Sequence, residues 1–519
     1  MRIVTSHLLF FLFISTTKYV SSVSPHPKLL VVSFDAFRYD YFKKNMTPYM
    51  DQLRDEGTHA DYMYNIYPTK TFPNHHTIAT GFYAETHGVV ANTIKDPISG
   101  KIERGSDYLF HYNNDIAPIW VINEKAGEGR HSGVMMWPGC NFKFLDILPT
   151  FQRKFDKNAP WLTSVDDLIS WFTHPTTPIN FGMLYMSEPD EHGHAYAYDS
   201  GPFKETLRRL DNLTRYIQNK LIVNGLSDIN VIYLSDHGMA PVTESSIIDL
   251  NKFVNQSDYE ITDGSPGLHI FPTAGKFDLV YEQLLRAKRE LGHFTVFKRE
   301  EIPDRFHYGK NPRVAPIYVI ADIGYVFQDY WNNIRGLEKQ WNYTATNETE
   351  FGFHGWSPEE ESMRPMFFGN GPSFKKHYTI DPFHTVDLFP LFCNLLDLPC
   401  PPTNGTFDNV KDALKSSKND FTIGITLLTV IGVLVLLGFV CVLVWFIKRW
   451  RAEKSNLYRI HISPANVSGA KIVPKSLTDS YFALPSDLRS SARQCKCANL
   501  VCRCRRELYT LIRYWNFIL

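Results

Sequence analysis

Between residues 28 and 406 apolar runs alternate with longer amphipathic stretches, the pattern of helices packed on a largely parallel sheet. Three runs read as buried strands: 29–34 (LLVVSF), 179–186 (INFGMLYM) and 229–234 (INVIYL). Each is followed closely by an acidic residue, Asp35, Asp190 and Asp236 respectively. In open α/β sheets ligands bind outside the carboxyl ends of the strands, so the three carboxylates are expected on one rim. Residues 241–350 hold hairpin-like and helical pieces without a catalytic motif and read as an inserted cap that walls the cleft.

Two other apolar segments set the compartment. Leu8 to Ser15 lies behind Arg2 and ahead of small residues, so residues 1–23 read as a signal peptide. Residues 421–447 carry no charge and exceed the roughly 20 residues that span a bilayer. Lys448, Arg449 and Arg451 follow, which places the tail, residues 448–519, in the cytosol. Residues 407–420 read as a polar linker. The expectation is a single-pass type I protein of the cell membrane with its large domain outside. Glycosylation acceptors at Asn45, Asn212, Asn255, Asn342, Asn347 and Asn404 all precede the span, and only Asn466 lies on the cytosolic side.

Composition is ordinary for a folded chain, with 44% hydrophobic and 21% charged residues, which excludes disordered and collagen-like classes. Lys plus Arg equals Asp plus Glu at 54 each, so no global field draws in a nucleic-acid polymer, and anion binding needs a local site. Eight cysteines are too few for a disulfide scaffold. Cys393 and Cys400 are near enough in sequence to pair in an oxidising compartment, leaving Cys140 as either a buried thiol or an intermolecular link. In the tail, CKCANLVCRCRR is either a solvated basic stretch with reduced thiols or a site for a soft metal or acyl chains, and it names no partner.

The chemistry is carried by Asp, His and Thr in loops that follow strands: Asp35, Thr71, Asp190, His194, Asp236, His237 and His354. Taken singly, Asp35 and Thr71 are as well read as turn or cap residues, and each histidine as a core or surface residue. Together they complete two coordination shells of oxygen and imidazole ligands, which suit Zn²⁺, with Mn²⁺ a competitor. Two Zn²⁺ would balance three carboxylates and a Thr71 alkoxide. Paired metals stabilise the attacking and leaving oxygens of an in-line displacement at phosphorus. A threonine hydroxyl is otherwise a weak nucleophile, and no Ser-His-Asp pattern surrounds Thr71. Pro73 suits the first turn of a helix, which would put Thr71 at a helix N-terminus.

The ordered set SFDAFR, PTKTFPNHHTIATG, ETHGVVAN, EPDEHGH, SDHGM and GFHG, with HTVDLFPLFCNLLDLPC near the end, resembles the ectonucleotide pyrophosphatase/phosphodiesterase family of the alkaline phosphatase superfamily. The resemblance covers residues 28–406 and implies an α/β alkaline phosphatase-like fold. It implies one zinc on Asp35, Thr71, Asp236 and His237 and a second on Asp190, His194 and His354. Thr71 would form a covalent intermediate that water hydrolyses, with Asn92 donating a hydrogen bond to a non-bridging phosphate oxygen. Phe72 and Phe155 would sandwich a nucleobase, and Tyr185 would line the same pocket.

The sequence departs from the family pattern at Ala36, where FDGFR is usual, and at Ser357-Pro358 after GFHGW. The single span and length resemble the short subgroup, whose members cleave dinucleotide polyphosphates or NAD-like pyrophosphates; nucleoside triphosphates are the other substrate class. Two other readings remain. A choline-lipid phosphodiesterase of the same fold would cage a quaternary ammonium, against which Phe72 argues. A surface adhesion or signalling protein would have lost activity, against which the full ligand set argues.

Overall fold

The computed structural model describes residues 23–415 and a long helix at 418–459. The expected signal peptide, apart from its last residue, lies outside the described residues, as does the tail from residue 460 with its four cysteines and Asn466.

An eight-stranded sheet organises the large domain. Its order is Tyr378–Ile380, Thr58–Ala60, Phe367–Asn370, Asn230–Leu234, Leu29–Phe34, Phe181–Met186, Ser132–Met135 and Phe151–Arg153. Phe367–Asn370 alone runs antiparallel to its neighbours; every other pairing in this sheet is parallel. The three strands expected from the sequence lie side by side at its centre, with Val31 in register with Met183 on one side and Ile232 on the other. All residues of Leu29–Phe34 and Phe181–Met186 are buried, which explains their unbroken apolar runs: both faces of the sheet are covered. Helices Pro48–Glu56, Trp161–Phe172 and Gly201–Val223 pack together as one set, and Thr71–Thr80, Ile119–Lys125 and Leu388–Leu395 as another.

The expected cap is present. The chain enters it through Ala240–Val242 and returns through Phe351–Phe353, and these two segments pair antiparallel as a neck. Beyond the neck a second, antiparallel sheet runs in the order Tyr259–Thr262, Gly267–Pro272, Ile317–Ala321, Phe294–Lys298. Helix Phe277–Leu291 covers it with Val280 and Leu284, in a core separate from that of the main sheet.

The expected polar linker is corrected in its first half. Val410 and Ala413 are fully buried, and the Lys415 N–H donates to the Ser373 carbonyl at 2.9 Å. Apolar residues spaced among the charges of this stretch anchor it to the core, so the packed domain continues to residue 415. Within the helix at 418–459, Leu428–Ser455 is long and apolar enough to cross a membrane.

Cys140 is buried, its thiol pushed up to about 12 by burial and donating to the Arg153 carbonyl at 3.5 Å, which fits an inert core thiol. Cys393 and Cys400, expected to be bonded, are free thiols here: Cys393 is buried, Cys400 is exposed, and the two are hydrogen-bonded. The fold brings them together.

Candidate active site

Parallel strands deliver the acidic residues to one edge. Asp35 follows Leu29–Phe34, and Ser235-Asp236-His237 follows Asn230–Leu234. Phe181–Met186 leads into the short helix Asp190–Ala195, where Asp190 and His194 share a face four residues apart. Thr71 opens helix Thr71–Thr80, as Pro73 suggested, and His354 follows the returning neck strand. Gly238 is required by a close approach: a Cβ there would lie 2.1 Å from the Ser362 carbonyl oxygen.

These elements bring all seven expected ligands together. Asp35, Asp236 and His237 form one group, and Asp190, His237 and His354 a second. His237 Nε2 lies 3.0 Å from Asp236 Oδ2 and 3.4 Å from Asp35 Oδ1. Asp190 Oδ1 lies 3.4 Å from His194 Nε2 and 3.5 Å from His354 Nε2. Thr71 Oγ1 is 3.4 Å from His237 Nε2. His237 therefore sits between the groups, whereas the resemblance assigned it to one.

The donor chemistry fits bound cations. Each imidazole turns Nδ1 to a backbone carbonyl: His237 to Gly238 at 3.0 Å, His354 to Thr69 at 2.8 Å and His194 to Gly352 at 3.0 Å. That leaves the Nε2 lone pairs facing carboxylate oxygens, the tautomer that second-shell carbonyls impose on metal-binding histidines. Asp35 Oδ1, Asp190 Oδ1 and Asp236 Oδ2 are all buried without a hydrogen-bond donor. Orphaned carboxylate oxygens of this kind are costly unless a cation meets them. Burial, Asp236 and Asp190 push the Asp35 carboxyl well up. Burial also raises Asp190. At Asp236 burial is outweighed by His237 and His75, which hold it well below the usual carboxylate range.

Comparison with known proteins agrees with this geometry. The family model "Type I phosphodiesterase / nucleotide pyrophosphatase" matches residues 29–357. Ectonucleotide pyrophosphatase/phosphodiesterase family member 5 of Homo sapiens is 36% identical over 422 residues, 80% of this chain and 83% of that protein. The bis(5'-adenosyl)-triphosphatase of Homo sapiens is 34% identical over 394 residues, 75% of this chain and 83% of that protein. The solved structure of murine ectonucleotide pyrophosphatase/phosphodiesterase 5 superposes with a TM-score of 0.67 at 36% identity, covering 75% of this chain and 100% of that one. An inactive threonine-to-alanine variant of the murine protein, solved in complex with AMP, matches equally well.

The chain belongs to the type I phosphodiesterase / nucleotide pyrophosphatase family. It is a nucleotide phosphodiesterase.

In this phosphodiesterase several supporting residues escaped the sequence reading. His75 Nδ1 lies 2.9 Å from the Thr71 carbonyl oxygen and 3.3 Å from Asp236 Oδ2, and its Nε2 meets Ser33 Oγ at 2.9 Å. One buried ring thus ties the first turn of the Thr71 helix to a carboxylate. Asn74 accepts the Ile66 N–H and donates to the Pro68 and Lys70 carbonyls, pinning the loop that enters the helix. The signal was the NHH run, where Asn74 and His75 sit within one turn of Thr71.

Tyr185 lines a small pocket with Phe155 and also makes a contact that the sequence did not suggest. It is 7% exposed and donates its hydroxyl to Asp35 Oδ2 at 2.5 Å, so it orients a carboxylate, while its ring meets Phe155 edge-on at 5.6 Å. Phe155 is 45% exposed. Phe72 is half-buried and packs on Phe110 at 5.8 Å. A cavity of about 660 Å³ opens between the site and the cap, with Asn92, His194 and His354 on its wall. The asparagines of the six Asn-x-Ser/Thr motifs that precede the apolar helix are all exposed.

Proposed function

We propose that this phosphodiesterase is a zinc-dependent ectoenzyme that splits phosphodiester or pyrophosphate bonds of extracellular nucleotides and releases a nucleoside monophosphate. The observation that carries the reading is the placement of Thr71 Oγ1 3.4 Å from His237 Nε2, against two groups of candidate ligands whose Asp35 Oδ1, Asp190 Oδ1 and Asp236 Oδ2 are buried without a hydrogen bond.

Two zinc ions, held by Asp35, Thr71, Asp236 and His237 and by Asp190, His194 and His354, would supply the positive charge that lowers the Thr71 pKa and stabilises the leaving oxygen. Thr71 Oγ1 bonds to phosphorus as the bond to the leaving oxygen breaks, giving a phosphothreonine diester. Asn92 donates its amide N–H to a non-bridging oxygen, a neutral partner suited to a singly charged diester. Water then cleaves the threonine ester and restores the hydroxyl. Phe72 and Phe155 hold the base of the retained nucleotide by stacking, which is worth about 1–3 kcal/mol.

The topology is type I. Six exposed acceptors precede the span, and Lys448, Arg449 and Arg451 lie at its far end. Cys393 and Cys400, free thiols in hydrogen-bond contact here, would pair as a disulfide once exposed to an oxidising compartment.

The test is hydrolysis of the p-nitrophenyl esters of thymidine 5′-monophosphate and of phosphocholine by the purified chain and by Thr71→Ala. The nucleotide ester should be preferred, and Thr71→Ala should abolish turnover. Reversed preference rejects the nucleotide assignment, and an active Thr71→Ala rejects the nucleophile.

A further inference from the structure

The run that leads into Asn92 is buried but irregular. Val89, Val90 and Ala91 are fully buried, yet residues 88–92 belong to no helix or strand. Buried backbone without a ladder must find other partners for its carbonyls. They come from one short segment of the cap chain, residues 308–313 (YGKNPR), which lies 218 to 226 positions further along. The Tyr308 hydroxyl donates to the Val90 carbonyl, Asn311 Nδ2 to the Glu85 carbonyl and Arg313 Nη1 to the Gly88 carbonyl, each at 2.9 Å. All three side chains are at most 2% exposed. Every donor lies on the cap segment and every acceptor on the run ETHGVVAN. Tyr308 and Val314 bury in the core of the main sheet rather than in that of the cap.

The direction of each bond is fixed by its neighbours. The Ala315 N–H donates to His269 Nδ1, so that ring carries its proton on Nε2 and donates it to the Tyr308 oxygen at 2.8 Å. The Tyr308 proton is thereby committed to Val90. Asn311 Oδ1 accepts the Arg313 N–H at 2.9 Å, which leaves Nδ2 for Glu85.

Arg313 is a buried charge, which is costly unless its donors are met. Besides Gly88 its guanidinium reaches the Leu109 carbonyl at 2.8 Å and the Tyr108 carbonyl at 2.7 Å. It thus joins the run into Asn92 to the segment that carries Phe110, whose ring packs on Phe72. Packed apolar side chains would leave these carbonyls free to turn, whereas donors in a rigid fork hold their direction. Two residues beyond Val90, Asn92 Oδ1 accepts the Phe72 N–H at 2.9 Å. An N–H in the first turn of a helix has no partner within the helix, so this one bond reports where Asn92 stands.

We propose that Tyr308, Asn311 and Arg313 are positioning residues for the reaction: from the cap they set the backbone that presents the Asn92 amide to the substrate phosphate. The inference rests on the donor role given to Asn92 above and extends it to three residues that do not line the cavity. The cap then does more than wall the cleft, because the placement of a catalytic group depends on it.

The experiment uses the full chain in detergent and two variants. Tyr308→Phe keeps the ring and removes only the donor, and Arg313→Lys keeps the charge but cannot reach three carbonyls. Amide hydrogen exchange at Phe72, taken relative to the amides of Leu29–Phe34, should speed up by about tenfold or more in both. With p-nitrophenyl thymidine 5′-monophosphate, kcat should fall by about tenfold while KM stays within about twofold, because an oxyanion donor acts in the transition state. In an Asn92→Ala background Tyr308→Phe should change kcat by less than about twofold, since the group it positions is gone. Relative exchange at Phe72 within about twofold of wild type in Tyr308→Phe overturns the proposal, and so does a full kcat loss that persists in the Asn92→Ala background. Wild-type protein inert toward the ester would sink the phosphodiesterase reading instead, and exchange at Phe72 would still decide whether the cap places Asn92.

Discussion

The side-chain oxygen of Asn92 accepts the backbone N–H of Phe72 at 2.9 Å, one residue beyond the proposed nucleophile. This bond fixes the amide so that its nitrogen is the group left to face the cavity that Asn92 lines. Asn92→Ala should lower kcat by about 10²–10³, the usual cost of an oxyanion donor. Asn92→Asp keeps the acceptor for Phe72 but presents an anion to the phosphate, so steady-state kinetics should show it slower than Asn92→Ala. An aspartate variant at or above the alanine variant would remove the donor role.

Ala36 is the departure from the family pattern that the backbone explains. Its φ is 58°, a left-handed conformation, and its N–H donates to Asp236 Oδ1 at 3.1 Å. An L-residue with a Cβ pays roughly 1–2 kcal/mol there, which glycine avoids. Ala36→Gly should therefore raise the thermal midpoint, offset in part by the greater freedom of glycine in the unfolded chain. A lowered midpoint would show that the methyl group contributes packing that outweighs the strain.

The central sheet and the clustering of the candidate metal ligands were legible because both obey local rules. Leu29–Phe34, Phe181–Met186 and Asn230–Leu234 are unbroken apolar runs, and Asp35 and Asp236 sit where such runs end. Thr71 was marked by Pro73 two residues on. What stayed hidden depends on contacts distant in sequence. Ser33 and His75 look like core polar residues until the fold closes the gap of 42 positions between them. Tyr185 read only as a pocket wall because its strand position gives the direction of the ring but not the destination of the hydroxyl. The residues from 407 read as a linker because charges outnumber the few apolar anchors, Val410, Ala413 and Leu414, that bury.

Tyr185 also leads to a prediction that does not depend on turnover. Its hydroxyl is a hydrogen-bond donor to Asp35 Oδ2. Removing an outer partner of this kind typically weakens metal retention by about 10–100-fold. Tyr185→Phe should therefore lose metal at lower chelator concentration than wild type in a competition titration. Equal retention would show that the carboxylate is positioned without it.

Acid sensitivity follows from a buried imidazole in the cap. His269 accepts the Ala315 N–H at Nδ1, at 3.3 Å, and meets the Tyr308 hydroxyl through Nε2 at 2.8 Å. Burial, helped by Lys70, drives its pKa down to about 3. The unfolded value is near 6.5, so between these limits the unfolded chain binds a proton that the fold refuses. This contribution to stability is complete above about pH 6.5 and is lost as pH falls toward about 3. Urea midpoints should decline from pH 7.5 to pH 5, and His269→Phe, though less stable at pH 7.5, should decline less. Parallel declines in the two proteins would show that other groups carry the acid sensitivity.

The paired-cation centre is tested most directly by elemental analysis of the purified, folded chain alongside its rate of nucleotide ester hydrolysis. The account predicts two zinc ions per chain, loss of activity when a chelator removes them and recovery when zinc is returned. A folded, fully active chain that binds fewer than two divalent ions would contradict it.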